Sequence, residues 1–360
     1  MISKKMNTGE NKQENSGDGM RRVWSAVLKY VVPLIISIGL CWLLFRNFDF
    51  RQMWQVIRTE CDFRWIIPGL ILGTGAQIFR AMRWQIQLSA LGYKTPIFPL
   101  ILSIFGTYAV NLVFPRLGEV WRTGYIAQRR QAPFATVFGS MVADRLADTV
   151  TVALLTLFAF TLASGTLLDY LSQGGDLAAT VRGMLLSPWI WGAVLVGMGA
   201  IVWLVKSRST NRYISGIRKF LKELWQGFAV IATMPGKGRW GIYTVGVWSC
   251  YFLQLLTSFM AFGFTRDVVI AHGLSAVLIA FVFSSISMGV PSNGGIGPWQ
   301  WAMMFALDIY GVESARAAAF ANFTLGVSTL LMIALGLFAF ISIPLERKKA
   351  TLKIKNNSNI

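Results

Sequence analysis

Six ionisable residues sit in one stretch whose flanks belong in an apolar phase: Arg116, Glu119, Arg122, Asp144, Arg145 and Asp148. Charges at membrane depth cost about 2.5 to 3.5 kcal/mol each on insertion scales, so they persist where they pair or line a polar cavity. Arginine holds phosphate oxygens through charge-assisted, bidentate hydrogen bonds. Carboxylates beside it can keep the guanidinium poised, contact an amine or carry a coupling proton. The chemistry expected is therefore recognition of an anionic or amine-bearing headgroup.

Spacing refines this. Arg145 and Asp148, three apart, can meet on one helix face, whereas Asp144 and Asp148, four apart, repel unless a cation lies between them. Arg116 and Arg122 are the candidates for that cation. The same two aspartates could hold magnesium, which keeps a membrane-embedded transferase open as an alternative. No resident metal or cofactor is expected otherwise: His272 is the sole histidine, and Cys41, Cys61 and Cys250 form no C-x-x-C pattern.

The backbone of this stretch breaks. Pro115 lacks an N–H and Gly118 follows, so a helix reaching Asn111 should end there, with Asn111 capping the break. A second interruption runs from Ser284 to Gly311, where Pro291, Asn293, Gly294, Gly295, Gly297 and Pro298 precede Gln300. Backbone N–H groups at such helix starts suit an anion. Arg80 and Arg83, beside Trp84, are expected as headgroup anchors at the cytoplasmic interface.

The elements that would position these residues are membrane helices. Of 360 residues 54% are hydrophobic and only 14% charged, and the mean hydropathy is +0.54. Apolar runs long enough to span a bilayer occur at Leu28 to Phe45, Trp65 to Phe79, Thr149 to Ser164, Trp189 to Val205, Trp240 to Gly263 and Ala317 to Pro344. The net charge of +18 lies mostly between spans, which points to topology and an anionic bilayer surface rather than nucleic acid.

The arginines and lysines place both termini in the cytoplasm. Residues 1–22 read as a disordered tail, 23–345 as one transmembrane domain and 346–360 as a basic tail. The loops 46–62 and 165–187 are expected outside, and 206–239, with an amphipathic helix near 213–231, inside. The short segment holding Arg266, Asp267 and His272 is expected as an outside loop. Charge bookkeeping closes if residues 97–130 and 274–311 are re-entrant hairpins entering from opposite faces. The expected fold is all-α: a polytopic bundle of about six full spans plus two such hairpins. Opposed broken helices of this kind build a central site in inverted-repeat transporters.

Four motifs in order, Arg80-x2-Arg83-Trp84, Asn111-x3-Pro115-Arg116-x-Gly118-Glu119-x2-Arg122, Asp144-Arg145-x2-Asp148 and Pro291-x2-Gly294-Gly295-x-Gly297, resemble the lysylphosphatidylglycerol synthase transmembrane-region family, also called flippase-like or UPF0104 membrane proteins. The resemblance covers about residues 25 to 345. It implies lipid handling in the bacterial inner membrane: movement of an anionic or aminoacylated phospholipid, or a polyprenyl-linked lipid. The two-part members carry a soluble C-terminal aminoacyl-transferase domain, which is not expected here. Where the common pattern has Pro-Gly-Gly this chain has Asn293-Gly294-Gly295, and where it has an acid this chain has Gln300. The expected partners are a membrane lipid and the anionic bilayer surface, with a second copy or a separate lipid-modifying enzyme as candidates. The alternatives are a lipid-modifying transferase and an accessory subunit of a lipid or glycan synthesis system.

Overall fold

Prolines and glycines divide the apolar sequence into helices of two lengths, short paired ones and long single ones. A computed structural model describes residues 50–114, 117–162, 212–289 and 296–357. Among them the secondary structure is helical, and extended pairing is limited to one antiparallel bridge between Cys61 and Phe262. In chain order, α1 is Phe50–Glu60, α2 Ile66–Ala90, α3 Ile97–Val113, α4 Leu117–Arg130 and α5 Phe134–Leu162. Then follow α6 Arg212–Thr233, α7 Lys237–Ala261, α8 Gly263–His272, α9 Leu274–Ser287, α10 Pro298–Asp308 and α11 Ser314–Asn357.

Among the described residues three helices are long and apolar enough to cross a membrane: α5, α7 and α11 from Ser314 to Glu346. The helices α8 and α9 meet at a bend of 114° and would count as a fourth if they form one span. Outward faces are apolar, as lipid contact requires; Leu154, Leu157 and Phe158 of α5 are all more than half exposed. The expected spans Leu28 to Phe45 and Trp189 to Val205, the tail 1–22 and the loop 165–187 lie outside the described residues.

Several expected boundaries are corrected. The run Trp65 to Phe79 is the first part of α2, which continues through Arg80 and Arg83 to Ala90 and ends before Gly92 at φ 89°. The arginines do not end the helix because they turn into the protein. The run Trp240 to Gly263 stops at Ala261, and Arg266, Asp267 and His272 are helical in α8 instead of lying in a loop. The loop 46–62 contains α1.

Within 206–239, α6 is not a lone surface helix. It packs along α5, with Gly227 so close that a Cβ there would lie 2.0 Å from the Thr136 carbonyl oxygen. The final helix runs on past Pro344 to Asn357, through the start of what was expected as a tail.

The two parts of the chain share one plan. A long helix, a helical hairpin and a second long helix recur as α2, α3/α4, α5 and as α7, α9/α10, α11. Equivalent elements make equivalent contacts: α3 packs on α11 and α9 on α5, while α1 packs on α11 and α6 on α5. The two lead helices, each of 25 residues, pack on each other.

They run antiparallel. Gly69 faces Thr257, the Gln77 amide donates to Tyr251 Oη at 2.9 Å, Phe79 faces Gly246 and the Arg83 guanidinium lies over Trp240. Gly69 and Gly73, four apart, let the α7 backbone approach closely, the small-residue packing that serves helices in lipid. Each half has its own apolar core. In the first, Trp84, Leu88, Leu100, Ile104, Ile126 and Val137 are buried together. In the second, Phe259 and Phe262 lie edge-on to Phe320 at 5.1 and 5.5 Å between ring centres.

Candidate functional site

The charged residues converge where α2, α4 and α5 meet. On α2, Arg80 and Arg83 are one helical turn apart; on the facing α5, Asp144 and Asp148 are too. Arg83 lies 2.8 Å from each carboxylate, through Nε to Asp144 Oδ1 and through a terminal nitrogen to Asp148 Oδ1. Arg80 donates to Asp148 Oδ2 at 2.9 Å. Arg83 and Asp144 are wholly buried and Arg80 nearly so. Among the described residues the cation between the two aspartates is therefore Arg83, not Arg122. Arg80 and Arg83 are turned inward onto these carboxylates and are not exposed side chains.

The break between α3 and α4 is built by Asn111. Its Oδ1 accepts the Gly118 N–H at 2.8 Å, satisfying a free donor at the start of α4, and its amide donates to Glu119 Oε2 at 3.1 Å. Helix α3 runs through Asn111 to Val113 before it breaks. Position 118 must be glycine: a Cβ would lie 2.2 Å from the Thr107 carbonyl oxygen. Glu119 Oε1 in turn accepts from Arg145 at 2.7 Å, and Arg145 lies 3.8 Å from Asp148. The hairpin is thus tied to α5, and through α5 to α2.

Arg122 differs from its neighbours. It is fully buried on α4 with its guanidinium 4.6 Å from the centre of the Trp84 ring. Among the described residues no carboxylate lies within ion-pair distance of it, and Nε and one terminal nitrogen have no hydrogen-bond partner. Arg80 and Arg83 also lie over aromatic rings, those of Tyr251 and Trp240. Among the described residues four arginines, Arg80, Arg83, Arg122 and Arg145, thus face three carboxylates, Glu119, Asp144 and Asp148. One positive charge is left over, which can take an anion without displacing a protein carboxylate.

The second interruption forms a separate polar pair. Gly297, at φ 94°, precedes α10; its N–H donates to Gln300 Oε1 at 2.8 Å, and the Gln300 amide donates to Asn322 on α11. No hydrogen bond or ion pair among the described residues joins this pair to the arginines. Pro115, Arg116, Pro291, Asn293, Gly294 and Gly295 lie outside the described residues.

Trp84, quoted with the two arginines in the sequence, and Gln77, Trp240 and Tyr251, which were not singled out there, complete the surroundings. One signal was available. Two arginines three apart, followed by a tryptophan, match two aspartates four apart on a later helix.

A family model described as the lysylphosphatidylglycerol synthase TM region matches residues 30–336. The glycosyltransferase AglD of Haloferax volcanii is 26% identical over 294 residues, 73% of this chain and 46% of that protein. The chain thus spans less than half the length of that relative. The UPF0104 membrane protein MJ1595 of Methanocaldococcus jannaschii is 22% identical over 337 residues, 90% of this chain and 97% of that protein. No solved structure matches.

Proposed function

The chain belongs to the lysylphosphatidylglycerol synthase TM region family, and on that premise we propose that it moves a lipid across a membrane. The substrate is an anionic or aminoacylated phospholipid, or a polyprenyl-linked lipid. Its headgroup passes a polar cavity between two re-entrant hairpins while its acyl chains stay in the bilayer. The setting is the bacterial inner membrane, with six spans and both termini cytoplasmic.

The observation that carries this reading is Arg122, a buried cation with unpaired donors and no carboxylate partner among the described residues. A buried charge left that way is costly unless something else meets it. A phosphate oxygen does so with the geometry a guanidinium prefers. Arg116, Pro291, Asn293, Gly294 and Gly295 would complete the headgroup path. Glu119, Asp144 and Asp148 hold the other arginines in place, so the surplus charge stays on Arg122.

Transbilayer movement of headgroup-labelled phosphatidylglycerol in proteoliposomes tests it. Arg122→Gln should slow movement about tenfold or more, since one charge-assisted hydrogen bond contributes about 1.5 to 3 kcal/mol. Its unfolding midpoint should be unchanged or higher, because an unpaired buried charge is removed. An unchanged rate at matched reconstitution sinks the proposal.

The name of one relative, a glycosyltransferase, supports a second reading: a lipid-modifying transferase, or an accessory subunit of a glycan synthesis system. The two aspartates that could have held magnesium weigh against catalysis, because guanidiniums already occupy the space between them. Conversion of a lipid phosphate with a sugar-nucleotide donor by the purified chain would favour this second reading.

A further inference from the structure

The two halves place different chemistry at the same positions. Arg83 is the eighteenth residue of α2, and Gln254 is the eighteenth of α7. Asp144 and Asp148 are eleventh and fifteenth in α5; Thr324 and Ser328 are eleventh and fifteenth in α11. Glu119 is third in α4, bonded to Arg145 of the next long helix, and Gln300 is third in α10, bonded to Asn322 of the next long helix. Arg83, Glu119, Asp144 and Asp148 of the first half thus each meet an uncharged hydrogen-bonding group in the second.

These neutral residues surround open space. Gln254, Ser258, Thr324 and Ser328 line a cleft of about 20 Å³ between α2, α7 and α11, walled by Trp65 and Phe323. That volume admits one water-sized group. Thr324 is only 8% exposed, and its hydroxyl oxygen has no hydrogen-bond partner. In the first half the equivalent positions are filled by paired guanidinium and carboxylate groups; here the shorter side chains leave the gap and a donor facing into it.

We infer that this cleft is a second binding site, which takes a hydroxyl of a polyol or sugar headgroup carried on a lipid. Thr324, Ser328 and Gln254 each offer both a donor and an acceptor, which suits a hydroxyl, and none supplies the charge a phosphate or ammonium needs. One hydroxyl is all that the cleft's volume admits, so the rest of the headgroup stays outside it. The inference rests on the lipid-transport reading and adds a substrate class to it: a headgroup with both a phosphate for Arg122 and a hydroxyl for the neutral half, or a neutral glycolipid for the second site alone.

The full chain in phosphatidylcholine nanodiscs, doped in turn with monoglucosyl diacylglycerol, phosphatidic acid and plain diacylglycerol, tests this by native mass spectrometry of retained lipid. Wild type should retain the glucosyl lipid over diacylglycerol. The double variant Thr324→Val, Ser328→Ala, which keeps side-chain shape, should lose that retention about tenfold and hold phosphatidic acid as wild type does. Equal retention of the glucosyl lipid by wild type and variant overturns the inference, as does a parallel loss of phosphatidic acid, which would mark a general defect in the bundle. Displacement by excess free glucose would assign the cleft to a free sugar and overturn the lipid assignment. Arg122→Gln in the same assay separates the two readings: phosphatidic acid retention indifferent to it counts against the transport proposal, while loss of the glucosyl lipid on changing Thr324 and Ser328 stands independently.

Discussion

Asp148 faces three guanidiniums, those of Arg80, Arg83 and Arg145. Its carboxylate is the most shared group in the site, so Asp148→Asn leaves the others short of a partner at once. Breaking a buried pair by removing one side costs about 3 to 5 kcal/mol. The variant should unfold with that loss in a denaturing-detergent titration followed by helical circular dichroism; a change under about 1 kcal/mol would show that solvent or lipid, not Asp148, balances the arginines.

Cys61 makes a quieter prediction. Burial, aided by the Asp62 carboxylate, pushes its thiol up to about 11. It stays protonated at neutral pH and becomes a thiolate only as pH rises towards that value. Maleimide labelling of Cys61, mapped by peptide mass, should therefore run about 100-fold slower than a free thiol at neutral pH and speed up through pH 10. A rate equal to that of free cysteine would place the side chain in open solvent.

The residue types of the site were readable in the sequence because charges in apolar surroundings announce themselves. Their pairing was not. Arg80 and Arg83 follow an apolar run and resemble an interfacial stop until α5 is folded against them.

At the scale of elements, the hairpin of α3 and α4 depends on contact without a side chain at position 118. A methyl group there meets backbone, which cannot swing aside, so Gly118→Ala must push the two helices apart. Overpacking of this kind costs about 1 to 3 kcal/mol, and the displacement also pulls Asn111 from Glu119. Reduced stability together with slower lipid movement is expected; wild-type values for both would mean that the helices separate freely.

The breaks after α3 and before α10 were legible because Pro115 and the glycines around Gly295 interrupt apolar sequence. Helix α8 and the full length of α2 were missed for one physical reason: polar residues inside a helix read as its end when the surface that receives them is unknown. The packing of α6 on α5 rests on Gly227, whose part becomes evident only once the backbone of Thr136 lies against it.

At the scale of the whole molecule, the two lead helices meet at the seam between α2 and α7. A Cβ at Gly75 would lie 3.7 Å from Cys250 Sγ, close to disulfide geometry. Gly75→Cys should therefore couple to Cys250 under mild oxidation and give a linked peptide by mass spectrometry. Two reactive but unlinked thiols would refute the register of the seam. The repeat was not legible in the sequence, since Arg83 against Gln254 and Asp144 against Thr324 share no residue type. Position within the helix, not identity, carries the equivalence, and position becomes visible only with the helix boundaries.

The seam also has a history within each molecule's synthesis. Helix α2 ends at Ala90 and its partner begins at Lys237. At 5 to 20 residues per second the ribosome needs roughly ten to thirty seconds to cover that interval. The ion pairs with α5 can close early in it, but Thr257 and Gln254, which meet Gly69 and Gly73 of α2, are not yet made. For that time the arginine–aspartate pairs and the first half's own apolar core must hold it in the arrangement that the second half will meet.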